Sequence, residues 1–130
     1  MAYKCFEDLP VWQAARSQHI EVMEMVNLNL FLKDFRLRDQ MRAAAGSVMD
    51  NIAEGFGRGG NKEFINFLTI ARGSNDETRS QCYQAFDRGY ISDAQLDAFV
   101  EKSRQLSNNL SSFILYLQNS EYKGSKFPKH

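Results

Sequence analysis

Between Pro10 and Pro128 the chain has no proline. Proline stops a helix because it lacks an N–H and its ring strikes the preceding turn, so this stretch permits long unbroken helices. Apolar residues inside it recur at steps of three and four, the helical period. The first such segment runs from about Pro10 to Leu32, with Trp12, Ala15, His19, Val22, Val26 and Leu30 on its stripe. Pro10 suits a first-turn position, where a missing N–H costs nothing. A second segment runs from about Arg36 to Phe56, with Asp34 as its cap and Leu37, Met41, Ala44, Val48, Ile52 and Gly55 as its stripe.

The third segment starts after Asn61, read as an N-cap, and places Glu63 in the positive first turn. Its stripe is Phe64, Leu68, Ala71, Asn75, Thr78, Cys82 and Phe86, and it stops near Gly89. The fourth opens on Ser92-Asp-Ala-Gln95, a capping-box pattern. It continues through Leu96, Phe99, Ser103, Leu106, Leu110, Phe113 and Leu117. No segment alternates with period two. The joints around Lys33 to Phe35, Gly57 to Gly60 and Gly89 to Tyr90 are short, and short joints make consecutive helices antiparallel neighbours. The expectation is an all-α, up-down-up-down four-helix bundle over residues 1–118, followed by a polar, mobile tail over 119–130.

Gly55, Gly57 and Gly60 spell G-x-G-x-x-G. A dinucleotide-binding fingerprint needs a strand before it and a crossover helix after it. Here the residues before it carry a helical stripe, so the glycines read as a joint: a left-handed closure of the second helix, a reversal at Gly59 and Gly60, and a restart at Asn61.

The 130 residues include sixteen basic and sixteen acidic side chains. That balance argues against non-specific coating of nucleic acid, which rests on net neutralisation of phosphates. Cys5 and Cys82 are too few for a metal framework and are expected to be reduced thiols. With no apolar signal core and no membrane-length apolar run, the expectation is a cytoplasmic chain that does not enter membranes. H-E-x-x-H, C-x-x-C and G-x-S-x-G patterns are lacking, and His19 reads as a packed side chain. No catalytic residue, metal ligand or cofactor is assigned.

Phe6 to Ala15 (FEDLPVWQAA), Leu37 to Arg58 (LRDQMRAAAGSVMDNIAEGFGR) and Lys62 to Ser74 (KEFINFLTIARGS) resemble the four-helix bundle proteins of the 23S rRNA intervening-sequence family. The likeness covers about Phe6 to Leu117. Ala43 stands where the family usually has a second arginine, Gly46 where it often has valine, and Asn75 where an aliphatic residue is common. The resemblance implies a bacterial, ring-like homopentamer, often encoded within large-subunit rRNA genes, with no established catalytic activity. An alternative from the same structural neighbourhood is an accessory protein of a diversity-generating retroelement, binding reverse transcriptase and nucleic acid. The neutral charge counts against it, and the genomic neighbourhood discriminates the two.

The residues point to self-association independently. Phe64, Ile65, Phe67, Leu68 and Ile70 occupy too many directions for one core-facing stripe, and Phe113 to Leu117 is apolar all round. Such surfaces need cover from outside the bundle. Ile65, Ile70 and Leu115 are the candidate interface residues. Asn51, Glu54, Arg58, Lys62 and Glu63 gather at the second joint, either as a recognition surface or as a polar network closing the bundle end, with Glu54 paired to an arginine. Basic residues Arg36, Arg38, Arg42, Arg58, Lys62, Arg72 and Arg79 are interspersed with Asp34, Asp39, Asp50, Asp76 and Glu77. Repeated around a ring, such a weak patch becomes a positive belt able to follow a phosphate backbone. Arg42, Arg58, Lys62 and Arg72 are the candidate RNA contacts, and a protein partner is a further candidate.

Circular dichroism of the whole chain should therefore report helix in about 75–80% of residues, far above the usual share, and substantial strand signal would refute the bundle.

Overall fold

The computed structural model describes residues 3–122. A short 3-10 turn, Phe6–Asp8, leads into α1 (Pro10–Met25), α2 (Phe35–Gly57), α3 (Asn61–Asp87) and α4 (Asp93–Tyr122). No strand occurs among the described residues. Contacts across the bundle run in opposite directions along neighbouring helices. Ser47 of α2 meets Ser74 of α3, while Gly55 lies against Phe64 and Phe67. Asn61 of α3 reaches Leu117 of α4, while Asn75 reaches Ser103. The helices are antiparallel neighbours in chain order, as the short joints require.

Helix α4 continues through Tyr122, beyond the boundary at 118 that polarity suggested; the rest of the tail, 123–130, lies outside the described residues. The first helix is shorter than expected. It ends at Met25, and residues 26–33 form successive turns closed by Leu28 N–H to Met25 O at 3.1 Å and Phe31 N–H to Leu28 O at 2.9 Å. Asn27 and Asn29 lie in this stretch, and asparagine competes poorly for helix interiors. Breaking the helix there buries Phe31 completely and leaves Leu30, expected on the stripe, 69% exposed. The buried stripe of α1 is Val11, Ala15, Gln18, Val22 and Met25. His19 and Trp12 fall on its half-buried flank.

The buried faces of α2 and α3 follow the predicted stripes closely, with Phe86 only half-buried. Asp34 caps α2, accepting the Leu37 N–H at 3.2 Å. The capping box of α4 is complete: Ser92 Oγ accepts from Gln95 N–H at 3.2 Å and Gln95 Oε1 from Ser92 N–H at 2.8 Å. Gly89, at φ 78°, ends α3 in a Schellman closure, with Tyr90 N–H bonded to Ala85 O and Gly89 N–H to Phe86 O, both at 2.9 Å. Asn61 is not the N-cap of α3. Gly60 holds that extended position, and Asn61 is the first helical residue, buried, with its Nδ2 donating to Leu117 O at 3.1 Å.

The apolar core divides into two clusters. One gathers Val11, Ile52, Phe64, Leu68, Leu110 and Leu117 at the end holding the α2–α3 joint. The other gathers Val22, Phe31, Leu37, Met41, Phe99 and Val100 at the opposite end. Between them lies a buried polar layer. Asn75 Oδ1 accepts from Gln18 Nε2 at 2.8 Å and from Ser103 Oγ at 2.9 Å, and its Nδ2 donates to Ser103 O at 2.8 Å. Arg79 Nη1 donates to Ser103 Oγ from the rim at 3.1 Å. One amide thus ties α1, α3 and α4 at one level.

At the end of the second cluster, Asp34 also joins the two joints that meet there. Its Oδ2 accepts from the Tyr90 hydroxyl and from Arg88 Nη1, each at 2.8 Å. The Tyr90 hydrogen bond first, then the Leu37 N–H and the Arg88 guanidinium, hold its carboxyl below the ordinary value. A depressed folded pKa means that the charged form stabilises the fold above the unfolded value, and that this is lost as pH falls through the folded pKa. Asp34→Asn should lower Tm by several degrees at pH 7. The gap from the native chain should close as pH drops below about 4; a pH-independent gap in thermal melts would exclude the charge as its source.

Candidate functional site

Hydrogen bonds establish which edge of α3 faces each neighbour. Arg72 Nη1 donates to Ser111 Oγ of α4 at 3.1 Å, and Arg79 makes the similar bond to Ser103. Positions 65, 69, 72 and 79 share a helical phase, so Ile65 lies on the α4-facing edge. Ile70 lies one turn before Ser74, whose Oγ is 2.9 Å from Ser47 Oγ of α2, so it lies on the opposite edge. Leu115 is one turn beyond Ser111 on α4. The three candidate interface residues therefore flank α3 on two sides. Ile70 and Leu115 are 52% and 57% exposed, whereas Ile65 is half-buried and packs on the first core cluster.

The α2–α3 joint carries the densest group of predicted residues. Arg58 Nη2 donates to Glu54 Oε2 at 2.8 Å, its Nη1 lies 3.9 Å from Glu63, and its guanidinium stands 5.1 Å from the Phe67 ring centroid. The hydrogen bond and charge of Glu54 raise the Arg58 pKa, with a smaller push from Glu63. Asn51 is not part of this group. Its Nδ2 donates to Ser47 O at 2.8 Å and Ser47 Oγ at 2.9 Å, one turn back along α2. Lys62 is exposed and in no ion pair among the described residues.

The four basic candidates do not form one patch within the chain. Arg42 is paired with Asp39 and lies about 24 Å from Arg58 along the α2 axis. Arg72 is half-buried against Ser111. Arg58 and Lys62 flank the same joint, one past the end of α2 and the other in the first turn of α3. Among the described residues no group of three His, Cys, Asp or Glu side chains is placed to hold a metal. His19 is half-buried on the flank of α1, and His130 lies outside the described residues. Burial, then Glu21, pushes the Cys82 thiol up to about 12, and partial desolvation followed by Asp8 and Glu7 raises Cys5. Both thiols are protonated at neutral pH.

The glycines act differently from one another. Gly59, at φ 85°, takes the left-handed conformation at the reversal. Gly55 lies inside α2, buried, where an added Cβ would stand 2.5 Å from Phe67 Cβ. It lets α3 approach closely enough for Phe64 and Phe67 to pack, and this approach supports the Phe56–Phe64–Phe113 edge-to-face series. Sequence spacing alone could not separate this packing role from helix termination. A polar residue in a core stripe, such as Asn75, was the one visible signal of the mid-bundle layer.

These features define a class: an all-α four-helix bundle with charged and apolar outer faces, and no described helix long and apolar enough to cross a membrane. The profile of the 23S rRNA-intervening sequence protein family matches residues 7–112, and the chain belongs to that family. A crystal structure of a protein with unknown function from the S23 ribosomal protein family of Bacteroides thetaiotaomicron superposes with a TM-score of 0.73 at 21% identity, covering 80% of this chain and 97% of that one. At that identity the likeness bears on the fold alone. No curated protein matches the chain.

Gly55→Ala should destabilise the bundle by about 1–3 kcal/mol in urea unfolding, the usual range for overpacking. A stabilised variant, showing the gain of about 1 kcal/mol that helix propensity alone supplies, would mean that α3 does not press on this glycine.

Proposed function

We propose that the protein is a non-enzymatic, homo-oligomeric interaction protein with an RNA- or ribosome-associated role. The observation that carries the oligomer is the exposure of Leu115 and Ile70, large apolar side chains within long helices that otherwise bury theirs. Covering such side chains by self-association removes apolar area from water without further partners. A pentameric ring agrees with the family resemblance. The RNA role draws on the family's link to 23S rRNA intervening sequences and on the two cations, Arg58 and Lys62, that flank the α2–α3 joint at one end of the bundle, a feature that a ring would present repeatedly.

Light scattering should give a mass five times the 14.9 kDa of one chain. Leu115→Asp should dissociate the assembly while leaving helicity intact, because it sets a charge into an apolar contact. It is a cleaner probe than Ile65→Asp, since Ile65 also packs on the bundle core. A native chain that stays monomeric at micromolar concentration would refute the oligomer.

For RNA, Arg58→Glu with Lys62→Glu should abolish binding of single-stranded and structured RNA, and native binding should weaken steeply with salt. Absence of native binding at about 50 mM salt, in the range where such contacts are strong, would leave protein–protein association as the function. Tight binding that survives the charge reversal would place the contact on another face.

A further inference from the structure

Helices α1 and α4 are the least closely packed of the neighbouring pairs. A groove of about 590 Å³ separates them, and a second of about 340 Å³ continues it toward the end of α1, with Glu21 and Glu24 lining both. Each groove has small residues on one wall: Ala14 and Ser17 of α1 face Gln105 and Asn109 of α4 in the first, and Ala94 and Ala98 of α4 face Met25 and Leu28 in the second. From Ala14 to Met25 the groove follows α1 for about 17 Å at the helical rise, or close to three turns. Its length matches a helix better than a compact small molecule.

The groove has a definite polarity. Gln18 lies on its floor, 94% removed from solvent (6% exposed), and its Oε1 has no hydrogen-bond partner among the described residues, while its Nε2 is committed to Asn75. A buried acceptor without a donor is costly, and a turn of the Gln18 amide toward the groove would bring it to a donor on a docked partner. Above it stand the carboxylates of Glu21 and Glu24. Lys102, the one cation lining either groove, reaches Glu21 at a loose 3.4 Å and leaves Glu24 in no ion pair among the described residues. Ile20 on α1 and Leu28 in the turns beyond it, 49% and 37% exposed, supply apolar edges.

We infer that the α1–α4 groove is a docking site for a cationic amphipathic helix of a partner protein. Its apolar stripe lies on Ala14, Ala98 and Ile20. A lysine or arginine on its flank meets Glu24 and Glu21, and the Gln18 amide turns to meet a donor from the same helix. This site is separate from the surfaces proposed above for self-association and RNA, so either reading can fail without the other.

The probe is a synthetic amphipathic helix of about 18 residues with leucines at three- and four-residue spacing and lysines on its flanks. Its counterpart carries glutamate in place of each lysine. Titrated into the full chain, the lysine peptide should bind at least tenfold more tightly than the glutamate peptide and shift the side-chain amide signal of Gln18 in NMR spectra. Glu21→Gln with Glu24→Gln, which changes charge without volume, should weaken it tenfold. Ala98→Trp, at an exposed position, should block the groove and abolish binding with the oligomer mass unchanged. Equal affinity of the two peptides, or unaltered binding by the double glutamine variant, would overturn the proposal. Loss of the native oligomer in Ala98→Trp would also overturn it, assigning the groove to a second copy of this chain.

Discussion

The hydrogen bonds of Asn75 are the constraint on which the bundle's arrangement depends. Two apolar clusters of similar composition fill the two halves of the core, and apolar contacts alone tolerate a helix sliding by one turn. A buried amide does not. Asn75 must find its partners, and Gln18 on α1 and Ser103 on α4 stand within reach at only one register. The layer adds modest net stability in this arrangement and large penalties in shifted ones.

Once the register is set, both ends of the bundle acquire their chemistry. At one end Asp34, Arg88 and Tyr90 tie two joints together, and Tyr90 stacks against Phe31 at 5.0 Å. At the other, the α2–α3 reversal sets Arg58 against Glu54, Glu63 and Phe67, because Gly55 allows α3 to lie close to α2 and Gly59 supplies the left-handed turn. The α1–α4 seam is the remaining side. It stays open along a groove lined by Ala14 and Ser17 of α1 and by Lys102, Gln105 and Asn109 of α4.

Periodicity made the helices readable, since burial imposes the same three- and four-residue steps on any packed helix. Leu37, Met41, Val48 and Ile52 on α2 all fall in the core as expected. The end of α1 was harder to read because Val26, Leu30 and Leu32 continue the apolar pattern; only tertiary burial of Phe31 decides that the chain turns instead. For the outer faces, the sequence marks an excess of apolar residues around Ile65 and Leu115 but not which edge of a helix each one occupies. That depends on pairings such as Arg72 with Ser111 and Ser74 with Ser47, which join residues far apart in the chain. The basic candidates show the same limit: Arg42 lies on α2 and Arg58 just past its end, and they pair with different carboxylates, Asp39 and Glu54.

Equilibrium urea unfolding of Asn75→Leu tests the central role of the polar layer most directly. Leucine restores bulk and apolar character but removes the acceptor of both the Gln18 amide N–H and the Ser103 hydroxyl proton, leaving Ser103 only the Arg79 donor. A loss of about 2–4 kcal/mol is predicted, from two buried donors left without their acceptor. A variant as stable as the native chain, or more stable, would contradict the account and place the bundle's register in its apolar packing alone.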